Sequence, residues 1–183
     1  MRFLRVIGGS AMAVALAVAM TASLAPGAAW AQAQSRVDVQ KDWAVFVAGE
    51  GAEKVCWIVS VPESSAATRD GKPVTVNRGD IFLMVAVRPG QNVKNQVSFI
   101  AGYPFQPGSK VDVTVGPRKQ EMFTDGENAW LPSSAEDDTA VQRFRAGAKA
   151  QVRGLSSRGT TTVDTFSLSG FTAAIRSASG RCS

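Results

Sequence analysis

The residue types that carry most enzyme chemistry are scarce in this sequence. Histidine is absent from all 183 residues, and there are two cysteines, Cys56 and Cys182. Without histidine, a serine or cysteine nucleophile lacks its usual general base, and transition metals lack their commonest protein ligand. No glycine-rich stretch has the spacing of a phosphate-binding loop, and no stretch has the alternating acids of a calcium site. The sequence therefore predicts no catalytic residue, no metal site and no cofactor.

Three consecutive acids remain as candidates for hydrolysis, which requires two carboxylates in one cleft. They are Glu136, Asp137 and Asp138. Ser134, three residues before Asp137, gives the stretch the form of a capping box, and negative charge stabilises the first turn of a helix. We interpret these acids as the start of a helix. A carboxylate-dependent hydrolase of envelope polymers stays open as the alternative to a non-enzymatic protein.

Residues 1–33 have the form of a signal peptide. Arg2 and Arg5 precede an apolar run, and Ala31 and Ala33 belong to a small-x-small cleavage pattern. A single membrane anchor is the alternative, since roughly 20 apolar residues span a bilayer. The cleavage pattern favours removal. We therefore expect residues 34–183 to form one exported domain that does not span a membrane.

Export bears on the two cysteines, because disulfides persist in oxidising compartments. We predict a disulfide between Cys56, in an early apolar run, and Cys182, near the end of the sequence. Chain-entropy treatments give on the order of 5 kcal/mol of stabilisation for so long a loop. The alternative is a pair of buried, reduced thiols.

The charge of the exported domain is small. Arg2 and Arg5 belong to the leader, so 18 of the 20 basic residues remain against 15 acidic ones, a balance of +3. We expect no nucleic-acid partner from so weak a charge. The densest basic stretch is a candidate contact for anionic lipid or polysaccharide. It consists of Arg143, Arg145, Lys149, Arg153 and Arg158. The alternative is a solvated surface alternating with core residues.

The elements that must position these residues are mostly strands. Apolar alternation and turn signals recur at near-regular spacing, which is typical of an antiparallel sandwich. The predicted strands are 43–48, 54–61, 73–77, 81–87, 96–101, 110–115, 118–123, 127–131, 148–156 and 160–168. The polar stretches 34–41 and 64–69 are predicted as a lead-in and a loop, and run 81–87 as a strand buried on both faces. Helical spacing after Ser134 and after Phe171 adds one or two short helices. The predicted class is all-β.

Two further features are candidates for contact with a partner. Tyr103 and Phe105 lie between prolines and glycines, so we predict that they form an exposed binding loop. The alternative is that they cover the end of the sandwich. The tripeptide Arg78-Gly79-Asp80 matches an adhesion motif, but it leads directly into an apolar strand. We favour a turn over an adhesion loop for this tripeptide.

The sequence from about Asp42 to Cys182 resembles the invasion-associated locus B (IalB) family of exported bacterial proteins. The resemblance rests on Asp42-Trp43, on Cys56 in the following strand, and above all on Phe-Ser-Leu-Ser-Gly-Phe-Thr-Ala-Ala-Ile at 166–175. It implies an immunoglobulin-like β-sandwich in the periplasm or outer envelope of a Gram-negative bacterium, with no catalytic residues. The founding members are linked to entry into host cells, whereas many relatives come from organisms without that lifestyle. The resemblance therefore implies a binding or structural role in the envelope, with an envelope protein, lipid or polysaccharide as partner.

Overall fold

A computed structural model describes residues 34–183, which form twelve strands and two helices. The predicted signal peptide lies outside the described residues. The strands are β1 (Ser35–Gln40), β2 (Trp43–Ala48), β3 (Val55–Ser60), β4 (Ser64–Arg69), β5 (Lys72–Pro73), β6 (Phe82–Arg88), β7 (Val93–Ile100), β8 (Lys110–Val115), β9 (Arg118–Asp125), β10 (Asn128–Trp130), β11 (Lys149–Leu155) and β12 (Thr161–Ser167). The helices are α1 (Ser134–Ala146) and α2 (Phe171–Arg181).

All twelve strands belong to one sheet with the order β1-β2-β3-β6-β7-β10-β9-β8-β11-β12-β4-β5. Every neighbouring pair is antiparallel. β7 and β12 are five places apart in this order, about 24 Å in a flat sheet. Yet the rings of Phe99 on β7 and Phe166 on β12 are 6.1 Å apart. The sheet therefore folds over into two layers, which agrees with the predicted all-β sandwich.

The core lies between the layers and under the helices. Trp43 and Val45 of β2 are fully buried, as alternation requires of one face of a strand. In α2, the predicted helical spacing is confirmed, because the buried residues are Phe171, Ala174, Ile175 and Ala178. Phe171 packs edge-on against both Trp43 and Phe144 of α1, with ring centroids 5.0 and 5.4 Å apart. The two helices thus cover the part of the core that contains Trp43. Within residues 34–183, neither helix is long and apolar enough to cross a membrane.

The edge strands differ from the prediction. The polar stretches at 34–41 and 64–69 contain β1 and β4, whereas the predicted strand 73–77 is reduced to the short β5. β1 ends the sheet on one side, and β4 and β5 end it on the other. β4 has no apolar alternation, so the prediction missed it. In β1, Val37 and Val39 do alternate with polar residues, and the prediction overlooked this signal.

The sequence predicted that strand β6 is buried on both faces, but the structure shows one of its faces partly exposed. Its residues Leu83 and Val85 are fully buried, but Phe82 and Met84 on the opposite face are partly exposed. An apolar run alone does not distinguish a strand covered on both sides from one whose outer face is apolar and uncovered.

Candidate binding groove

The predicted disulfide is confirmed. Cys56 of β3 and Cys182, just after α2, are joined with an S–S distance of 2.09 Å and Cα atoms 5.9 Å apart. Both residues are buried, and no cysteine within residues 34–183 is free. The bond fastens the end of α2 to strand β3.

The prediction of an exposed aromatic loop is wrong for Phe105, which is only 5% exposed. Its ring lies 6.3 Å from that of Phe99 and 5.3 Å from that of Tyr103. The space for both rings comes from Gly154 on β11, where a Cβ atom would lie 2.7 Å from Phe105 Cε1 and 2.8 Å from the Tyr103 hydroxyl. Tyr103 is half-buried, and its hydroxyl is hydrogen-bonded to Thr162 at 2.6 Å.

The tripeptide at 78–80 is not an adhesion loop. The side chain of Arg78 is 7% exposed and donates to both carboxylate oxygens of Asp164, at 2.6 and 2.7 Å. It also donates to the backbone oxygen of Ala101, and Gly79 N–H donates to the backbone oxygen of Gly102. An integrin-type contact requires a free arginine on a mobile tip, and this arginine is fixed within the fold.

The basic stretch does not form one patch. Arg143 and Arg145 lie in the last turn of α1, whereas Arg158 lies beyond the far end of β11. The seven residues of β11 alone span about 23 Å. Lys149 is paired with Glu63, and Arg153 lies opposite Asp112 of β8 in the strand register. The structure therefore spreads these charges and places acids among them.

A concave surface forms where α1 begins beside β7, β9 and β10. This groove has a volume of about 670 Å³. Its lining is formed by Asn92, Val93, Lys94, Asn95, Gln96, Phe123, Trp130, Leu131, Pro132, Ser133, Ser134, Asp137 and Asp138. The volume falls within the range of ordinary ligand sites.

The acids of the groove are placed by the start of α1. The N-cap is Ser133, whose hydroxyl accepts from Glu136 N–H, so the capping residue lies one position before the predicted Ser134. Of the three acids, Glu136 accepts from the Gln120 amide at 2.5 Å, and Asp138 accepts from the Asn95 amide at 2.6 Å. The capping interpretation is thus incomplete, because the acids also bind the neighbouring strands.

Asp137 has the most unusual environment of the three acids. Its carboxylate accepts from the backbone N–H of Val97 at 2.9 Å. The pKa of Asp137 is raised to about 6, chiefly by burial; the hydrogen bond from Val97 opposes the rise, and the charge of Asp138 adds to it. A carboxyl group with such a pKa can both give and accept a proton near neutral pH. Within residues 34–183, no group of three or more acidic or cysteine side chains is arranged to hold a metal ion.

Two aromatic rings form one wall of the groove. Phe123 of β9, 49% exposed, and Trp130 of β10 are paired in the register, with ring centroids 5.7 Å apart. The sequence analysis missed Phe123, although alternation contains a signal for it: its neighbour Met122 is fully buried, so Phe123 must point to the outer face. An exposed phenylalanine beside a tryptophan is a typical feature of a recognition surface rather than a core.

The outward-facing surface that contains the aromatic wall continues across strands β7, β6, β3 and β2. The register connects Phe123, Trp130, Ser98, Met84, Val59 and Ala44 in one row over six strands. In the neighbouring row, Phe46 and Trp57 stack with ring centroids 5.4 Å apart and planes 11° from parallel. The groove is therefore the polar end of a broad, largely apolar surface.

Comparison with known proteins gives one positive result. No significant match was found among curated proteins or among solved structures. A family model described as "Invasion associated locus B (IalB) protein" matches residues 43–179, from the first residue of β2 into the last turn of α2. This region covers well over half of the chain and includes the groove. The chain belongs to the invasion associated locus B family.

Proposed function

We propose that this protein is an exported, non-enzymatic component of the bacterial periplasm or outer envelope that binds envelope polysaccharide in the groove beside α1. In this proposal, an association with host cells would be a consequence of the location in the envelope. The observation that carries the proposal is the pair of exposed Phe123 and partly exposed Trp130 next to Asp137, Asp138 and Asn95.

Export is supported by the disulfide. A link between Cys56 and Cys182 is kept in compartments that are not reducing, such as the bacterial periplasm. The apolar leader with its cleavage pattern agrees with this location. Fractionation of the bacterium, with a cytoplasmic and a periplasmic marker as controls, tests it directly. Recovery of the protein in the cytoplasmic fraction would contradict the proposal.

The choice of polysaccharide follows from the chemistry of the groove. A sugar ring has an apolar face that packs on aromatic rings and a rim of hydroxyl groups that need hydrogen-bond partners. Phe123 and Trp130 offer the first kind of contact, and the carboxylates and the Asn95 amide offer the second. Lys94 offsets one of the two carboxylates, so the groove has an excess of a single negative charge, which does not favour a strongly ionic ligand.

The test is a titration of the purified, exported protein with soluble fragments of envelope polysaccharide, followed by tryptophan fluorescence and calorimetry. We expect Trp130→Ala and Phe123→Ala each to weaken binding about tenfold, since about 1.4 kcal/mol corresponds to a factor of ten. Trp57→Ala is the matched control, because Trp57 is a partly exposed tryptophan of the same layer that does not line the groove. Unchanged affinity in Trp130→Ala would overturn the assignment of the groove. Absence of binding to every saccharide fragment would overturn the ligand class.

A carboxylate-dependent hydrolase is the second candidate function, favoured by the pKa of Asp137. Glycoside hydrolysis uses one carboxyl group with a raised pKa as the acid and a second as base or nucleophile. Asp137 and Asp138 line the same groove, next to an apolar wall. Incubation with the same polysaccharide, followed by detection of new reducing ends, separates the two functions. Release that is lost in Asp137→Asn but kept in Asp80→Asn would establish the hydrolase, whereas binding without release supports the binding protein.

A further inference from the structure

A second cavity lies at the other end of β7 from the groove. The groove contains the first residues of β7, and this cavity contains Gly102 and Tyr103, just after β7 ends. Its volume is about 400 Å³, large enough for a small molecule or a headgroup. Its walls come from the end of β4, the segment before β6, and the turn between β11 and β12. It is therefore independent of the proposed polysaccharide site.

Three guanidinium groups line this cavity, those of Arg69, Arg78 and Arg158. The charge of Arg78 is compensated by Asp164, which is fully buried. Neither Arg69 nor Arg158 forms a salt bridge with an acid of residues 34–183. The acid that lines the cavity is Glu127. Set against Glu127, Arg69 and Arg158 leave the cavity with an excess of one positive charge.

The guanidinium of Arg69 is held in place. Its Nε and Nη2 atoms both donate to the Thr160 hydroxyl, at 3.0 and 2.7 Å, and Thr160 is 3% exposed. The backbone N–H of Thr160 in turn donates to the Ser156 hydroxyl. A guanidinium has five N–H donors, so two hydrogen bonds leave three for a ligand. Fixing the side chain in advance lowers the entropy cost of binding.

Neutral donors surround the arginines. The cavity is also lined by the Asn77 amide and by the hydroxyl-bearing residues Ser157 and Thr162. Arginine forks together with hydroxyl and amide donors match the oxygens of a phosphate or carboxylate group. We propose that the cavity formed by Arg69, Arg158 and Asn77 is an oxyanion-binding site that takes a phosphate or carboxylate group of a small molecule or of an envelope lipid or sugar.

The test uses calorimetry on the exported protein with inorganic phosphate, glucuronate and chloride as probes at low salt. We expect phosphate or glucuronate to bind, chloride to bind much more weakly, and added salt to reduce the affinity. Vesicles of anionic phospholipid, compared with vesicles of neutral phospholipid, show whether a headgroup can be the source of the anion. Binding of phosphate without vesicle binding assigns a soluble ligand.

The variants are Arg158→Gln and Arg69→Gln, with Arg153→Gln as the matched control. Arg153 is an exposed arginine on β11 that does not line the cavity. We expect each cavity variant to weaken binding about tenfold and the control to leave it unchanged. If Arg69→Gln is unstable because it lacks the hydrogen bonds to Thr160, Arg158→Gln still tests the proposal. Equal affinity for phosphate and chloride, or equal affinity of Arg158→Gln and Arg153→Gln, would overturn the proposal. Neither result depends on polysaccharide binding in the groove.

Discussion

Arg78 and Asp164 form a two-pronged ion pair inside the protein, between the segment that precedes β6 and the middle of β12. Asp164 also accepts from the Ser65 hydroxyl of β4 at 2.6 Å, and Tyr103 lies over the guanidinium at 4.9 Å. The ion pair and these contacts thus join four separate parts of the chain, namely β4, the segment before β6, the segment after β7, and β12. They explain why a tripeptide that resembles an adhesion motif is structural here.

Removing one partner of this pair should be costly. In Arg78→Met, Asp164 stays buried without a counter-charge, and we expect a loss of about 3–5 kcal/mol in the free energy of unfolding, measured by urea denaturation. The double variant Arg78→Met/Asp164→Leu should recover much of this loss. Lys110→Met, which breaks an exposed pair with Glu121, is the control and should change stability little. Similar losses in Lys110→Met and Arg78→Met would contradict this account.

The motif itself can be tested without disturbing the fold. Asp80 is exposed, so Asp80→Glu should leave both stability and binding to cultured host cells unchanged. A loss of cell binding in this variant, with unfolding unaltered, would restore the adhesion hypothesis.

The disulfide should contribute much of the stability. Cys56 and Cys182 are 126 residues apart, and chain-entropy treatments give about 5 kcal/mol for a loop of this length. We expect Cys56→Ala/Cys182→Ala to lower the urea midpoint strongly. A reducing agent should lower the midpoint of the natural protein in the same way and leave that of the double variant unchanged. A reductant that affects both proteins equally would show that it acts elsewhere.

Asp137 should make stability depend on pH in the direction opposite to that of most carboxylates. Its pKa of about 6 in the folded protein lies above the ordinary value of 3.8, so between these values the folded state binds more protons than the unfolded state. Its contribution is therefore present at pH 4 and lost as the pH rises through 6. Because Asp137 is partly solvated, we expect it to contribute about 1 kcal/mol to the free energy of unfolding, less than the full free-energy equivalent of its pKa shift. The difference in unfolding free energy between the natural protein and Asp137→Asn, followed from pH 4 to 7.5, should show this trend, and a flat difference would contradict it.

Two glycines should respond to alanine with opposite signs. Gly154→Ala pushes against the rings of Phe105 and Tyr103 and should destabilise by about 1–3 kcal/mol. Gly180 lies within α2 with open space around its Cα, and Gly180→Ala should stabilise by about 0.5–1 kcal/mol because alanine favours the helix. Thermal unfolding of both variants checks the pair. Destabilisation by Gly180→Ala, or unchanged stability in Gly154→Ala, would contradict this prediction.

Sequence alone could predict those parts of the fold that one stretch of chain determines. The strand over Trp43–Ala48 and the buried stripe of α2 follow from local alternation. The edge strand β4 could not be recognised, since an edge in contact with water needs no apolar pattern, whereas the alternation of Val37 and Val39 in β1 was a signal that the prediction overlooked. The class of the fold was therefore predictable, but the border formed by β4 was not.

The two candidate sites depend on tertiary structure more than the individual strands and helices do. The groove joins Asn95, Trp130 and Asp137 from three elements, and the second cavity joins Arg69 to Arg158 across 89 residues of chain. The acids were visible as a cluster, and Arg158 as part of a basic run. Nothing in the sequence indicated that Tyr103 would share a wall with Arg158 or that Gly154 would leave room for Phe105. Such neighbours are set by the way the sheet folds over.

The path of the chain through the sheet has a consequence for assembly. β4 is formed by residues 64–69, but its long partner is β12, where Thr161 pairs with Thr68. Contacts between such distant parts of a sequence slow the search for the native state. Until β12 has paired with β4 during folding, β4 has no partner along most of its length, and the Arg78 guanidinium has no counter-ion. The β4–β12 pairing and the Arg78–Asp164 ion pair both need residues near 161, so we expect them to be among the last parts of the fold to form.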